Sequence, residues 1–356
     1  MAAVITGTGV GIPPNVVTNE DLGRIMDTSD EWIRSRSGVE QRRFVDPGTG
    51  TSDLAAEAAG AALADAGVDA SSVDALVTAT MTPDVMNPGI APLVQMKLGL
   101  GPVAAFDLRQ QCSGFLYGLD LADSLIASDR ADTVVVVGAE VHAGYLPWGD
   151  AWDIVLGHTR RAPTDEEWRR ATDHRGWSVL FGDGAGAMVV RRSDASGSGV
   201  LGSVLHTDGS QFDLIIGGEF GFRHRPYITE AMVADGLHIP KMDGGGLYRA
   251  AVRLMPAAIS EVLEKSRFGI DDLDVIVAHQ ANDRILAGVR RQLDVDERLV
   301  PSNIARWGNT TAGTLPILFH ELRQAGRIHP GALVCFTAFG AGAHWGALLY
   351  REPEAR

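Results

Sequence analysis

The feature that most constrains this chain is that it repeats itself. A helical run at 55–66 leads through Gly67-Val68-Asp69 to an apolar stretch at 74–79. About 200 residues later the run 251–266 leads through Gly269-Ile270-Asp271 to the stretch 274–279. The correspondence continues: 91–98 pairs with 285–293, 112–127 with 311–325, and 133–137 with 332–336. Short apolar strands alternating with helical runs predict an α/β protein of two βαβα halves, their central sheets covered by helices. The halves are placed at 1–190 and 191–356. About a pseudo-twofold, the starts of the 112 and 311 helices would face each other at carboxyl ends of strands, where α/β proteins keep their sites. Residues 146–176 break the symmetry and read as an insertion carrying Trp148, Trp152, Trp168 and several arginines. Its Thr164-Asp165-Glu166-Glu167 is a capping-box pattern and predicts a short surface helix. The insertion is either a lid or docking element, or a solvated excursion.

Composition narrows the function classes. Lys+Arg 31 against Asp+Glu 45 gives a net charge of −14, which argues against a nucleic-acid binder and a polybasic membrane surface. An acidic partner would have to meet a local basic patch. Two cysteines in 356 residues make no disulfide framework and point to a reducing cytoplasm. The N-terminal residues lack the pattern of a signal peptide, and no apolar run approaches a membrane span. No HExxH and no Cys/His cluster is present, so no metal is expected. Gly7-Thr8-Gly9-Val10-Gly11 has Ile12 where a dinucleotide fingerprint needs its third glycine, and Gly182-Asp183-Gly184-Ala185-Gly186 has the wrong spacing. Both read as tight backbone turns.

Cys112 follows the strand-like 103–108 and opens an amphipathic run. At a strand–turn–helix junction, unpaired helix N–H groups would stabilise a thiolate. Taken alone, Cys112 is equally a small buried hydrophobe. His279 ends the apolar strand 275–278, and Asn309 directly precedes the helix that repeats the Cys112 helix. Each has a bland reading, a structural histidine and a helix N-cap. Together, three strand-end loops of a doubled fold supply a Cys, a His and an Asn. That set suits acyl transfer with loss of carbon dioxide: a thiolate stores the acyl group, and neutral donors steady an enolate. The loop Phe339-Gly340-Ala341-Gly342-Ala343 lacks bulk and would let backbone amides, with that of Cys112, form an oxyanion hole.

Six segments carry a family resemblance: 28–38, Cys112-Ser113-Gly114-Phe115, 181–187, His279-Gln280-Ala281-Asn282, Gly308-Asn309-Thr310-Thr311 and 339–346. In that order they resemble β-ketoacyl-acyl-carrier-protein synthase III of the thiolase superfamily, over almost the whole chain. The resemblance implies the layered α-β-α-β-α thiolase fold, a homodimer and a Cys112, His279 and Asn309 triad. It implies that Trp32 and Arg36 hold coenzyme A, that Asn282 lines the pantetheine tunnel, and that Ala341 gives the second oxyanion amide. Acyl-coenzyme A and malonyl-acyl-carrier protein are then substrates, carried on coenzyme A and phosphopantetheine, with no permanently bound cofactor. Asn87 stands where the family usually places an apolar residue that reaches across the dimer into the acyl pocket. With the insertion, it suggests an altered starter and a specialised-metabolism relative.

Two other readings stay open. One passes the acyl group from Cys112 to a hydroxyl or amine without decarboxylation, with His279 as general base. The other is an inactive partner subunit, against which the presence of Cys112 argues. Carrier docking is expected on Arg249, Arg253 and Arg284, with Arg34, Arg36, Arg290 and Arg291 nearby. The same arginines could be an ordinary solvated face.

Overall fold

A computed structural model describes residues 2–195 and 197–354. Two sheets dominate. The first has five strands in the order Ala2–Gly11, Gly184–Ser193, Thr133–Glu140, Ala75–Ala79, Ala104–Leu108. The second has four, in the order Gly199–Thr207, His344–Arg351, Leu333–Gly340, Val275–Ala278. The doubling extends to register. Ala75 pairs with Val134 in parallel, and Val275 with Val334 in parallel; each of those two inner strands then pairs antiparallel with the next.

Periodicity explains the layers. Along Thr133–Glu140, Val134 and Val136 face one core while Val135 and Val137 face another. A strand covered on both faces must be continuously apolar, and this one is fully buried. The core between the sheets holds the helices Gly114–Ala127 and Thr314–Gln324 through Phe115, Leu119, Leu318 and Phe319. Outside the first sheet lies the alanine-rich helix Thr51–Ala66. Outside the second lie Gly244–Ser266 and Asp283–Leu293. The order is α-β-α-β-α, as expected.

The glycine-rich starts are not turns. Gly7, Gly9 and Gly11 alternate within the strand Ala2–Gly11, facing the helix Thr51–Ala66. A Cβ on them would stand 2.4, 2.3 and 2.4 Å from the carbonyl oxygens of Ala62, Ala58 and Leu54. Glycine spaced by two on a strand thus matches residues spaced by four on a helix, and lets the backbones touch. Gly184 and Gly186 likewise open a strand, with Gly186 packed on Pro316.

The insertion is packed. Trp148, Ala151, Ile154, Val155 and Ala171 join Ile25, Met26, Ile33 and Phe44 in one buried cluster. The capping box forms at Thr164 and Glu167, but the helix it starts, Asp165–Ser178, is 14 residues long and runs beyond 176. Arg161 grips Glu167 through two bonds of 2.7 and 2.6 Å. A solvated excursion would bury neither Trp148 nor Ala171.

Gly9→Val is expected to lower the unfolding free energy by about 3 kcal/mol or more, because its side chain meets helix backbone that cannot yield. Gly101→Ala, whose Cβ would meet nothing within 4 Å, should stay within about 0.5 kcal/mol. Urea denaturation checks both.

Candidate active site

Cys112 lies in the 3-10 turn Gln111–Ser113, between the strand Ala104–Leu108 and the helix Gly114–Ala127. Gln111 has φ of 52°, a left-handed conformation that a residue with a side chain adopts at a cost of about 1–3 kcal/mol. This sharp elbow is itself repeated: Thr311 has φ of 49° in the turn Thr311–Gly313. The residue after the first elbow is Cys112; the residue after the second is Ala312. One elbow is armed and the other is not.

Burial, not the helix start, decides the state of the thiol. Cys112 is 8% exposed. Desolvation pushes its pKa up to about 12, and the Glu140 carboxyl raises it further against the Cys112 and Ala341 amides, which favour the anion. The expected lowering is therefore reversed: the field of a helix end is smaller than the cost of burying a charge. The resting sulfur is a thiol and needs a base. Glu140, also buried, accepts from Thr82 Oγ1 at 2.6 Å, Thr80 Oγ1 at 3.1 Å and the Met81 amide at 3.1 Å. The Ala312 amide adds a further bond, and burial nonetheless holds Glu140 up at about 7.

His279 sits just past the end of Val275–Ala278, with 2% exposure. Burial lowers its pKa to about 3, so the imidazole is neutral at physiological pH. Nδ1 lies 2.7 Å from Thr314 Oγ1, and no hydrogen bond ties up Nε2 among the described residues. Thr314 Oγ1 is also 3.0 Å from the Thr311 carbonyl. Asn309 is not an N-cap of the following α-helix. Its Oδ1 accepts from the Thr311 amide at 2.8 Å. A backbone N–H can only donate, so the carboxamide orientation is fixed and Nδ2 is left for the cavity. His142 supports this turn: its Nδ1 meets the Gly182 carbonyl at 2.8 Å and its Nε2 meets Thr311 Oγ1 at 2.7 Å.

The loop 339–343 closes on the cysteine. A Cβ on Gly340 would stand 3.0 Å from the amide nitrogens of Cys112 and Ser113, so glycine permits the approach without displacing the turn. Ser113 Oγ donates to the His344 carbonyl at 2.9 Å and pins the loop. Cys112, His279, Asn309, Ala341 and Asn282 line one cavity of about 570 Å³.

The remaining predicted residues fall around this cavity. Asn282 caps the helix Asp283–Leu293, accepting from the Arg284 amide at 2.9 Å, and donates to the Arg36 carbonyl at 3.0 Å. It thereby ties the cavity to the helix Asp30–Ser37, which carries Trp32 and Arg36. The Arg36 guanidinium stacks 4.4 Å from the Trp32 ring centre. Arg175, from the insertion, stands 4.9 Å from the same ring and pairs with Asp27 at 2.8 Å. Its role at Trp32 was not visible in a run of surface arginines. Arg249 and Arg253, one helical turn apart, and Arg284 are exposed on two helices that also line the cavity. Arg34 and Arg290 are engaged in ion pairs. Asn87 is exposed and stands outside the cavity lining, next to Met86, which is part of it. Among the described residues no group of His, Cys, Asp and Glu could hold a metal ion. Nor is any helix long and apolar enough to cross a membrane.

A cysteine, an imidazole and a carboxamide on one cavity of a doubled α-β-α-β-α fold define a cysteine-dependent acyltransferase. The family model for 3-oxoacyl-[acyl-carrier-protein] synthase III matches residues 106–156 and 167–209, and its C-terminal counterpart matches 263–352. The break at 157–166 falls inside the insertion. β-Ketoacyl-[acyl-carrier-protein] synthase III of Rhodospirillum rubrum is 40% identical over 98% of this chain and 99% of that protein. Synthase III 3 of Streptomyces coelicolor is 40% identical over 99% and 98%. The crystal structure of the synthase III from Pseudomonas aeruginosa superimposes with a TM-score of 0.85 at 38% identity, covering all of both chains. The priming β-ketosynthase of the R1128 polyketide pathway gives 0.84 at 28%, covering 99% and 97%. This chain belongs to the β-ketoacyl-acyl-carrier-protein synthase III family.

With its one hydrogen on the Thr311 carbonyl, the Thr314 hydroxyl accepts from His279 Nδ1–H and leaves the lone pair on Nε2. Turned off that carbonyl, it would donate to Nδ1 and serve the other neutral tautomer. Thr314→Ser should retain turnover. Thr314→Val should lose about tenfold or more, from one unmade buried hydrogen bond. The loss should fall on decarboxylation more than on acylation, measured separately by single-turnover assays.

Proposed function

We propose that the protein condenses an acyl-coenzyme A starter with a malonyl-acyl-carrier-protein thioester, with loss of carbon dioxide, through an acyl-Cys112 intermediate. The observation that carries this is the joint cavity lining of a buried thiol, the unpartnered Nε2 of a neutral His279 and the free Nδ2 of Asn309. In the first step His279 Nε2 takes the Cys112 proton as the sulfur attacks the thioester carbon. The amides of Cys112 and Ala341 hold the oxyanion. The tetrahedral adduct expels coenzyme A thiolate, which takes the proton from His279 and leaves as the thiol. His279 next changes tautomer by proton exchange with solvent, Nδ1 losing its proton and accepting from the Thr314 hydroxyl as that turns off the Thr311 carbonyl. The malonyl thioester binds with its carbonyl oxygen on Asn309 Nδ2 and the new His279 Nε2–H. Carbon dioxide departs, its bonding electrons form the enolate, and the enolate carbon attacks the acyl carbonyl. The second adduct expels the Cys112 thiolate, and one proton from solvent, the proton that the overall reaction consumes, restores the thiol.

Around this site, Trp32, Arg36 and Arg175 would hold the nucleotide end of coenzyme A, and Asn282 the pantetheine. Arg249, Arg253 and Arg284 would receive the carrier protein, offsetting the net charge of −14. A homodimer is supported by the edge strand Ala104–Leu108, whose outer side is unpaired and where Ala104 and Ala105 are exposed. Asn87 would then reach the partner's acyl pocket. We place the enzyme in the cytoplasm, with its halves at 1–190 and 191–356. Direct transfer to a hydroxyl or amine is less well served: those acceptors give up a proton less readily than the Cys112 thiol, and Nδ1 of His279 meets a hydroxyl and not a carboxylate that would make it the stronger base they need.

The pKa shifts set a pH test. A rate through free thiolate, with the thiol near 12, would climb about tenfold per pH unit from 6 to 9. A rate through the neutral Cys112–His279 pair should be flat over that window, because His279 stays neutral above about 3. Single-turnover acylation should be flat; a slope of one would remove His279 as the base. Asn309→Ala should acylate normally yet release carbon dioxide from the malonyl thioester about 10²–10³ times more slowly. Unchanged release would overturn the assignment.

A further inference from the structure

Of the polar side chains on the cavity wall that the reaction does not use, Gln111 and His344 among them, two stand apart. Arg109 stands three residues before Cys112, and Tyr145 follows the strand Thr133–Glu140. Both line the main cavity, and both also line a second cavity of about 370 Å³ that adjoins it. Met81 and Met86 line the two cavities as well, whereas His279 and Asn309 border only the first. The shared wall, an arm of the main cavity, is set off from Cys112 as well, which borders only the first. Methionine covers its sides.

Neither group has a protein partner among the described residues: Arg109 is exposed and Tyr145 half-buried. Among the described residues the Arg109 guanidinium has no ion pair, and only its backbone carbonyl is engaged, by Gln111 Nε2 at 3.0 Å. Among the described residues the Tyr145 hydroxyl has no hydrogen-bond partner, and burial raises its pKa, so it remains a donor. The acidic groups nearby are already committed. Asp84, on the far wall of the second cavity, accepts from the Ser52 amide and hydroxyl at 2.9 Å each. Glu140 sits behind Met81 and is held by Thr80 and Thr82. A guanidinium and a phenol donor on one wall whose other shared residues are Met81 and Met86 suit a carboxylate, since a planar fork matches two carboxylate oxygens.

We infer that the starter taken up by this site is an acyl thioester whose far end carries a carboxylate, received by Arg109 and Tyr145. This rests on the acyl-Cys112 reading above and narrows it. The carboxylate is the starter's and not the malonyl group's. The malonyl carboxylate must become neutral carbon dioxide, and a guanidinium gripping it would stabilise the ground state over the transition state.

The test uses two coenzyme A thioesters of nearly equal shape, glutaryl and 5-methylhexanoyl, the second replacing the carboxylate oxygens by methyl groups. The readout is the ratio of their kcat/KM values for acylating Cys112, followed by intact mass. The full-length enzyme should prefer glutaryl by about tenfold or more, the worth of a charge-assisted hydrogen-bonded pair. Arg109→Leu should invert the ratio, Arg109→Lys should keep part of it, and Tyr145→Phe should reduce it. The ratio is internal to each protein, so a poorly folded fraction does not alter it. A wild-type ratio at or below one, or a ratio unmoved in Arg109→Leu, would overturn the inference while leaving the acyl-enzyme intact. An adduct from neither thioester would overturn the acyl-Cys112 reading and this one with it.

Discussion

Two sharp turns packed against each other across the pseudo-twofold hold the site together. Each depends on a residue with a left-handed backbone, Gln111 in one half and Thr311 in the other. Each approaches the opposite half closely. A Cβ on Gly340 would press on the Cys112 turn at 3.0 Å, and one on Gly138 would stand 2.2 Å from the Ala312 carbonyl oxygen. The second turn carries no nucleophile, and its Ala312 amide is bound by Glu140. It acts as the floor on which Asn309 and Thr314 are set. Duplication gives a symmetric scaffold, and divergence at 112 and 312 gives it a direction.

The chemistry of the site is that of buried, mostly neutral groups. Desolvation holds the thiol protonated and the imidazole uncharged. Buried charge is costly, so a Cys–His ion pair is not the resting state. The consequence for mechanism is that the proton moves only when substrate arrives. The same neutral imidazole, with Nδ1 on a hydroxyl that can turn either way, can accept a proton in one half-reaction and donate a hydrogen bond in the other. Thr314 is therefore as much a part of the account as the three residues that line the cavity.

The fold was legible in the sequence because the repeat is long and its apolar strands are covered on both faces. Cys112, His279 and Asn309 could be read because each ends a repeated strand or begins a repeated helix. The glycines at 7, 9 and 11 were misread as turns; their function is contact with a helix 50 residues away, which local pattern does not report. The sign of the Cys112 shift was also misjudged, since a helix start is visible in a sequence and the depth of burial is not. Thr314, Arg109, Tyr145 and Arg175 went unnoticed for a related reason: each gains meaning only from a neighbour distant along the chain. The insertion's capping box was readable locally, but its packing beneath the helix Asp30–Ser37 was not.

The most direct test is to map the acyl group. The chain has two cysteines, both buried: Cys112 on the cavity, and Cys335 in the strand Leu333–Gly340 with no exposure. After incubation of the native enzyme with an acyl-coenzyme A and proteolysis, the acyl mass should appear on the Cys112 peptide alone and vanish in Cys112→Ala. Acylation of the Cys335 peptide, or of any residue in Cys112→Ala, would contradict the account.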